Sequence, residues 1–254
     1  MNEIASYPTL KDKVVLITGG ASGIGESIVE NFLQQGSKVA FLDKEKELGN
    51  QLVKKLHAYN HQAVFKECDL VDIVEMQKKI KEIQIQVGPI SILVNNAAND
   101  ERHNIDDVTP EFWDNRMATN LKHFFFTVQS VKDSMIKNNG GVIVNMGSVS
   151  WMIGEGGMPA YTSAKSAIVG LTRSFARDLG KYNIRANSVV PGSIATERQI
   201  KLWLTPEYKK HLMDKQCLKR QLIPEDVAQM VLFISSDQSS GCTNQNYIVD
   251  AGII

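Results

Sequence analysis

The most constraining feature of this sequence is a rhythm of short apolar runs spaced by longer helical patterns. The runs are VVLIT (14–18), KVAFLD (38–43), AVFKECD (63–69), ISILVNN (90–96), GVIVNM (141–146), RANSVV (185–190) and NYIVD (246–250). Between them stand segments of helical character, among them GESIVENFLQQG, VEMQKKIKEIQIQVG and PEFWDNRMATNLKHFFFTVQSVKDSMIK. Apolar strands of about five residues separated by amphipathic helices call for a parallel sheet covered on both faces. The expected fold class is α/β, with a doubly wound, seven-stranded parallel sheet. No Pro-, Gly- or Ser-rich linker, internal repeat or low-complexity tract divides the chain, so residues 1–254 are expected to form a single domain. The stretch from 192 to about 220 breaks the rhythm and predicts one or two short helices. An insertion of that length at the carboxyl end of a strand suits a lid over a ligand crevice.

Composition narrows the partners. The 28 basic residues balance 28 acidic ones, and no block of Lys and Arg stands out. That balance argues against nucleic acid or an anionic membrane surface as the main partner. Cys68, Cys217 and Cys242 are far apart and form no C-x-x-C pair, which fits a reduced cytoplasmic protein. The start, MNEIASYPTLKDK, lacks the apolar core of a signal peptide, and no run approaches membrane-spanning length. A cytoplasmic chain without an anchor is expected. His57, His61, His123 and His211 show no metal-ligand spacing, so no metal is expected. The run HFFFTV (123–128) reads as the buried face of a helix.

The first strand runs straight into TGGASGIG (18–25), after which a helix begins. Gly19, Gly23 and Gly25 there serve a tight turn, a close backbone approach to phosphate, and tight packing of helix on strand. A pyrophosphate would lie at the helix N-terminus, where free N–H groups and the dipole favour negative charge. The turn and the sheet together predict a Rossmann-type dinucleotide site. The second strand ends at Asp43, whose carboxylate suits both adenosine ribose hydroxyls and repels a 2′-phosphate. That favours NAD over NADP, although the adjacent Lys44 softens the repulsion. Asp69, ending the third strand, is a candidate adenine contact or equally a strand-end cap.

A second motif, AYTSAK (160–165), sets Tyr161 one helical turn before Lys165, so the two side chains are neighbours. A tyrosine acting as a base near neutrality needs its pKa lowered by about 3 units, or about 4 kcal/mol. An ammonium about 4–5 Å away at an effective dielectric of 20 supplies ~3–4 kcal/mol.

TGGASGIG, Asp43, CDL, NNAA (95–98), Asn120, Ser148, YTSAK and PGSIAT (191–196) follow one another across essentially the whole chain. In this order and spacing the sequence resembles the short-chain dehydrogenase/reductase family. One departure is Ala98, where the family usually has glycine; a methyl group there should narrow the space beside the nicotinamide ribose slightly. The resemblance implies a catalytic set of Asn120, Ser148, Tyr161 and Lys165. Tyr161 would accept the proton, while Lys165 would tune it and bind the nicotinamide ribose. Ser148 would hold the substrate oxygen, with Ser150 the competing choice. Asn120, an asparagine inside a long helix where that residue is disfavoured, would bind a water leading from the lysine. The implied cofactor contacts are Gly19, Ser22, Gly23, Ile24, Gly25, Asp43, Asp69, Leu70, Asn95, Ala97, Tyr161, Lys165, Pro191, Gly192, Ile194 and Thr196. Asn95 would close the cofactor pocket from the fourth strand, and Thr196 with Ile194 would meet the carboxamide.

Four stretches further resemble bacterial NAD-dependent aldose 1-dehydrogenases acting on sugars such as galactose, xylose, arabinose or fucose. They are NNAANDERH (95–103), MGSVSWM (146–152), VVPGSIATERQIKLWL (189–204) and QCLKRQLIPEDVAQMVLFISSDQSSGCTNQNYIVDAG (216–252). The implied sugar contacts are Asn99, Asp100, His103, Ser148, Trp151, Tyr161, Gln199 and Trp203. Glu101 offers a further acid, and Arg198 with Gln199 could equally belong to a lid that never touches sugar. The competing readings are the same fold acting on a 3-oxoacyl thioester, steroid or polyol, and a non-catalytic NAD-binding scaffold. The family further implies a homotetramer built through the helices that carry Asn120 and YTSAK.

Overall fold

The computed structural model describes residues 5–58 and 62–254; His61, one of the histidines without metal-ligand spacing, lies outside them. A single seven-stranded sheet runs through the molecule. Its strands are β1 (Val14–Thr18), β2 (Lys38–Asp43), β3 (Ala63–Glu67), β4 (Ile92–Asn95), β5 (Gly141–Met146), β6 (Ile184–Pro191) and β7 (Asn246–Val249). All pair in parallel in the order β3-β2-β1-β4-β5-β6-β7. The order reverses between β1 and β4, and at such a switch point a crevice opens beyond the carboxyl ends of the strands. β3 stops at Glu67, so Asp69 lies two residues past the strand rather than at its last position.

The helices are α1 (Gly23–Gln34), α2 (Lys46–Ala58), α3 (Ile73–Val87), α4 (Pro110–Met117), α5 (His123–Lys137), α6 (Pro159–Leu179), α7 (Glu197–Leu202), α8 (Pro206–Lys215) and α9 (Pro224–Ser235). Period-two alternation along β1 divides the core between the two faces of the sheet. Val15 and Ile17 pack with Ile28 and Phe32 of α1, Leu52 of α2 and Val231 of α9. Val14 and Leu16 pack with Met76 and Ile80 of α3, Val131 of α5 and Phe175 of α6. On the first face α1 and α9 are also tied by polar bonds. Ser27 Oγ and Asn31 Nδ2 donate to Glu225, at 3.0 and 2.8 Å.

Between 192 and 222 the chain forms the two short helices α7 and α8. The base of this segment is closed by a bridge between Ile194 and Leu222, where Ala195 N donates to Leu222 O at 2.8 Å.

The helical run from 110 to 137 is interrupted by a π turn, Ala118–Lys122, that links α4 to α5. Such a turn inserts one residue into the ladder and re-aims the side chains around it. Asn120 and His123 are thereby both fully buried, together with Phe124. The HFFFTV run is only partly a buried face, because Phe125 points outward and is exposed. His123 Nε2 lies 3.0 Å from Thr119 O in the turn and 3.2 Å from Ala97 O beyond β4. Its N–H therefore staples the π turn to the cleft side of β4. Burial first, and the charge of Lys165 second, pull the His123 pKa from 6.5 down to about 4. Between these values the unfolded chain binds a proton that the folded chain does not, so stability rises with pH across that window. Stability is expected to fall as pH drops from 6.5 towards about 4. His123→Gln, which keeps an N–H donor but does not titrate, should flatten that part of the curve. Urea midpoints at several pH values check this; an unchanged pH slope in the variant would contradict it.

Candidate active site

A cleft of about 1290 Å³ lies over the carboxyl edge of the sheet at the β1–β4 switch point. Its nucleotide end begins where β1 turns into α1. Gly19 adopts φ +66°, a conformation that favours glycine, and a Cβ there would lie 2.7 Å from Ala97 Cα. At Gly25 a Cβ would collide with the Gly19 carbonyl oxygen, so α1 can close on β1 only without a side chain. The Asn96 amide donates to Thr18 O (3.1 Å) and Gly19 O (2.9 Å), holding the turn against the exit of β4. Ser22 is the N-cap of α1 and its side chain makes no capping bond. Ser22, Gly23, Ile24 and Gly25 line the cleft.

The Asp43 carboxylate is oriented at the end of β2 by two backbone donors. Ala21 N donates to Oδ2 and Glu45 N to Oδ1, each at 3.0 Å. Asp69 and Leu70 line the same wall, and Asp69 Oδ1 also accepts from Val71 N at 3.0 Å. Pro191, Gly192, Ile194 and Thr196 form the opposite wall. The Thr196 hydroxyl caps α7 through Gln199 N at 3.2 Å. Asn95 does not line the cleft. Its amide is buried between layers, donating to Asn145 Oδ1 (3.0 Å) and accepting from Thr127 Oγ1 (2.7 Å). Asn96, Ala97 and Ala98, beyond the end of β4, form the wall instead. Successive residues of a strand face opposite ways, and the first asparagine of the pair faces the core.

At the other end of the cleft stand Ser148, Tyr161 and Lys165. Lys165 is 1% exposed, donates to Met146 O at 2.7 Å, and lies 5.6 Å from the Tyr161 ring centroid. Burial lowers its pKa to about 7, opposed by the charge of Asp100. For Tyr161, burial raises the pKa and Asp100 adds to this, while Ser148 and Arg102 oppose it. The protein groups alone therefore leave the phenol above its ordinary range. The spacing of AYTSAK predicts a fully charged ammonium beside the hydroxyl, whereas burial holds Lys165 near its titration point. Ser148, rather than Ser150, is the serine that favours the phenolate. Asn120 lies behind the cleft wall, where its Oδ1 accepts from Asn99 N at 2.7 Å. Its Nδ2 has no protein partner among the described residues.

The expected sugar contacts separate into two groups. Asn99, Asp100 and Gln199 line the cleft with Ser148 and Tyr161. Asp100 is already engaged there, by Arg198 at 3.0 Å and Gln199 Nε2 at 2.6 Å. His103, Trp151 and Trp203 do not line it. His103 Nε2 accepts from Ala160 N at 3.4 Å, and the His103 backbone N–H donates to Gly157 O at 2.8 Å. It thus supports the start of α6, one residue before Tyr161. Trp203 serves as a platform under Arg102, 5.4 Å from the ring centroid. Arg102, Glu155, Met158 and Tyr208, none of them among the expected contacts, also line the cleft. The position of EGGMPAY between Ser148 and Tyr161 was the signal available for Glu155 and Met158. Among the described residues no cluster of three or more His, Cys, Asp or Glu side chains could hold a metal. None of their helices is long and apolar enough to cross a membrane.

The chain matches a family model described as enoyl-(acyl carrier protein) reductase over residues 19–254. It is 44% identical to D-xylose 1-dehydrogenase of Caulobacter vibrioides over 248 residues, 98% of each chain. To a "probable galactose dehydrogenase" of Rhizobium meliloti it is 42% identical over 250 residues, again 98% of each. Among solved structures, a 7α-hydroxysteroid dehydrogenase complexed with NADH and 7-oxo glycochenodeoxycholic acid superposes with a TM-score of 0.91. That chain is 30% identical, with 96% of each covered. The open-backbone turn ahead of α1, the Ser148–Tyr161–Lys165 cluster and these similarities agree: the chain belongs to the short-chain dehydrogenase/reductase family of oxidoreductases.

Proposed function

We propose that this chain oxidises the anomeric C1 hydroxyl of an aldose to the aldonolactone, with NAD as the acceptor. The observation that carries the reading is the shared cleft. The open N-terminus of α1 and Asp43 lie at one end, and Tyr161 with Ser148 at the other. Full-length similarity to enzymes named for xylose and galactose supports an aldose as substrate. Bound at the first end, the dinucleotide supplies a hydride acceptor, leaving the protein to manage the proton. Gly19, Gly23 and Gly25 let the pyrophosphate approach the backbone at α1, and Asp43 holds the ribose diol. Thr196 and Ile194 border the carboxamide.

Tyr161 takes the proton of the C1 hydroxyl as the C1 hydride departs, and Ser148 holds the same oxygen. The protein alone keeps the phenol high; Ser148 and Arg102 oppose that rise, and the positive charge of an oxidised nicotinamide would lower it further. Lys165 reaches the nicotinamide ribose, with Asn120 behind it. The sugar's other hydroxyls face Asn99, Asp100 and Gln199. The 192–220 segment acts as the lid of one domain, and the enzyme works in the cytoplasm as a homotetramer. Exposed Phe125 on α5 beside Phe175 of α6, and exposed Ile248 on edge strand β7, support two such contacts.

NADH formation across a panel of aldoses tests the reading. Turnover confined to a 3-oxoacyl thioester, steroid or acyclic polyol would overturn it. Tyr161→Phe should lower kcat by about 10²–10⁴-fold while calorimetry shows NADH affinity nearly unchanged; activity within tenfold of wild type would remove the role. Asp43→Ala should narrow or reverse the NAD preference, read as the ratio of kcat/KM for NAD and NADP. A wild-type ratio at or below unity would contradict the assignment. Light scattering at micromolar concentration should return the mass of four chains rather than one.

A further inference from the structure

Three arginines reach the substrate end of the cleft, and each is matched by a carboxylate. Arg198 meets Asp100 at 3.0 Å, Arg116 meets Glu101 at 2.6 Å, and Arg102 meets Glu155 at 3.6 Å. Half-exposed pairs of this kind add little to stability. Their effect on a ligand is larger, because a carboxylate or phosphate entering the cleft finds every guanidinium already neutralised.

The Arg102–Glu155 pair is the loosest of the three, and Glu155 lies on the segment that leads into the start of α6 and Tyr161. The charge of Arg102 lowers the Tyr161 pKa, so it is felt at the phenol. The Arg102 guanidinium lies over the Trp203 ring and donates to Gly156 O at 3.3 Å. Glu155 is carried on the turn between Ser148 and Tyr161, anchored by its N–H to Ser150 O at 2.9 Å. With φ of +67° at Gly154 and +73° at Gly157, the turn delivers this carboxylate beside Arg102.

We propose that Arg102 is a latent anion site in the substrate cleft, and that Glu155 keeps it neutral and so restricts the enzyme to uncharged substrates. The proposal rests on the aldose reading for its choice of substrate. It makes Glu155 a specificity-determining residue that acts through Arg102 rather than a catalytic one. An approaching anion is repelled by Glu155 and gains nothing from Arg102. With the carboxylate removed, the guanidinium on its tryptophan platform is free to pair.

The test compares D-galactose with D-galacturonate, which keeps the pyranose ring and anomeric hydroxyl but carries a carboxylate at C6. Wild type should strongly prefer galactose. Glu155→Gln should raise the galacturonate-to-galactose ratio of kcat/KM by about tenfold or more, the scale of one unscreened charge interaction in a cleft. Adding Arg102→Met to that variant should abolish the gain, which a merely loosened loop would not do. Calorimetric titration of the NADH-bound protein with galacturonate reads the same change without turnover. Saturable binding is expected in Glu155→Gln and not in wild type. If galactose is turned over but the variant neither binds nor uses galacturonate better, the inference is overturned and the aldose reading stands. Wild type using galacturonate as well as galactose would overturn it too. If no aldose is turned over while the variant gains anion binding, the aldose reading fails and the role of Glu155 stands.

Discussion

The cleft depends on how closely α1 can approach the end of β1. At Gly25 the helix backbone rests against the Gly19 carbonyl, and Gly19 in turn lies against Ala97. Neither contact leaves room for a methyl group, so the turn, the helix start and the exit of β4 form one packed unit. Asn96 completes it by donating its side-chain amide to the carbonyls of Thr18 and Gly19. A rigid joint at this point fixes the separation between the start of α1 and the side chains beyond β4 and β5. Hydride transfer needs such a fixed separation, since a misplacement of about 1 Å can cost 10²-fold.

The proton-handling end is organised by burial. Lys165 is almost fully enclosed, with a backbone carbonyl and the Phe124 ring as neighbours, so its ammonium is held near its titration point. His123 is held neutral by its own burial, with the charge of Lys165 adding to the effect. A cluster kept poorly charged by its own walls responds strongly to any charge brought in with a ligand, because little solvent is present to screen it.

Much of this was legible in the sequence. Seven apolar runs gave the strands within a few residues, because a strand buried on both faces must be apolar throughout. The glycine turn, Asp43, Ser148, Tyr161 and Lys165 do line one cleft, and their spacing was readable because a strand, a turn or one helical face imposes it. The errors lie where no period operates. Asn95 and Asn96 differ by one position, and that single step decides between core and cleft. His103, Trp151 and Trp203 have the chemistry of sugar contacts but sit in loops whose direction no pattern encodes. The π turn at Asn120 left only a misplaced polar residue as its trace, since a one-residue insertion barely disturbs an amphipathic pattern.

The bridge between Ile194 and Leu222 has a wider consequence. Because both ends of the intervening segment are fastened to each other, a change of length between its anchor points, at Asp100 and at Ala251 and Gly252, need not shift the register of the sheet beneath. Closing a longer loop across the same bridge adds only about 0.6 kcal/mol per doubling of length. The segment between those contacts is thus an interchangeable part. It can be lengthened, shortened or rewritten while the strands and the nucleotide turn keep their register, giving one scaffold a cheap route to new substrate preferences.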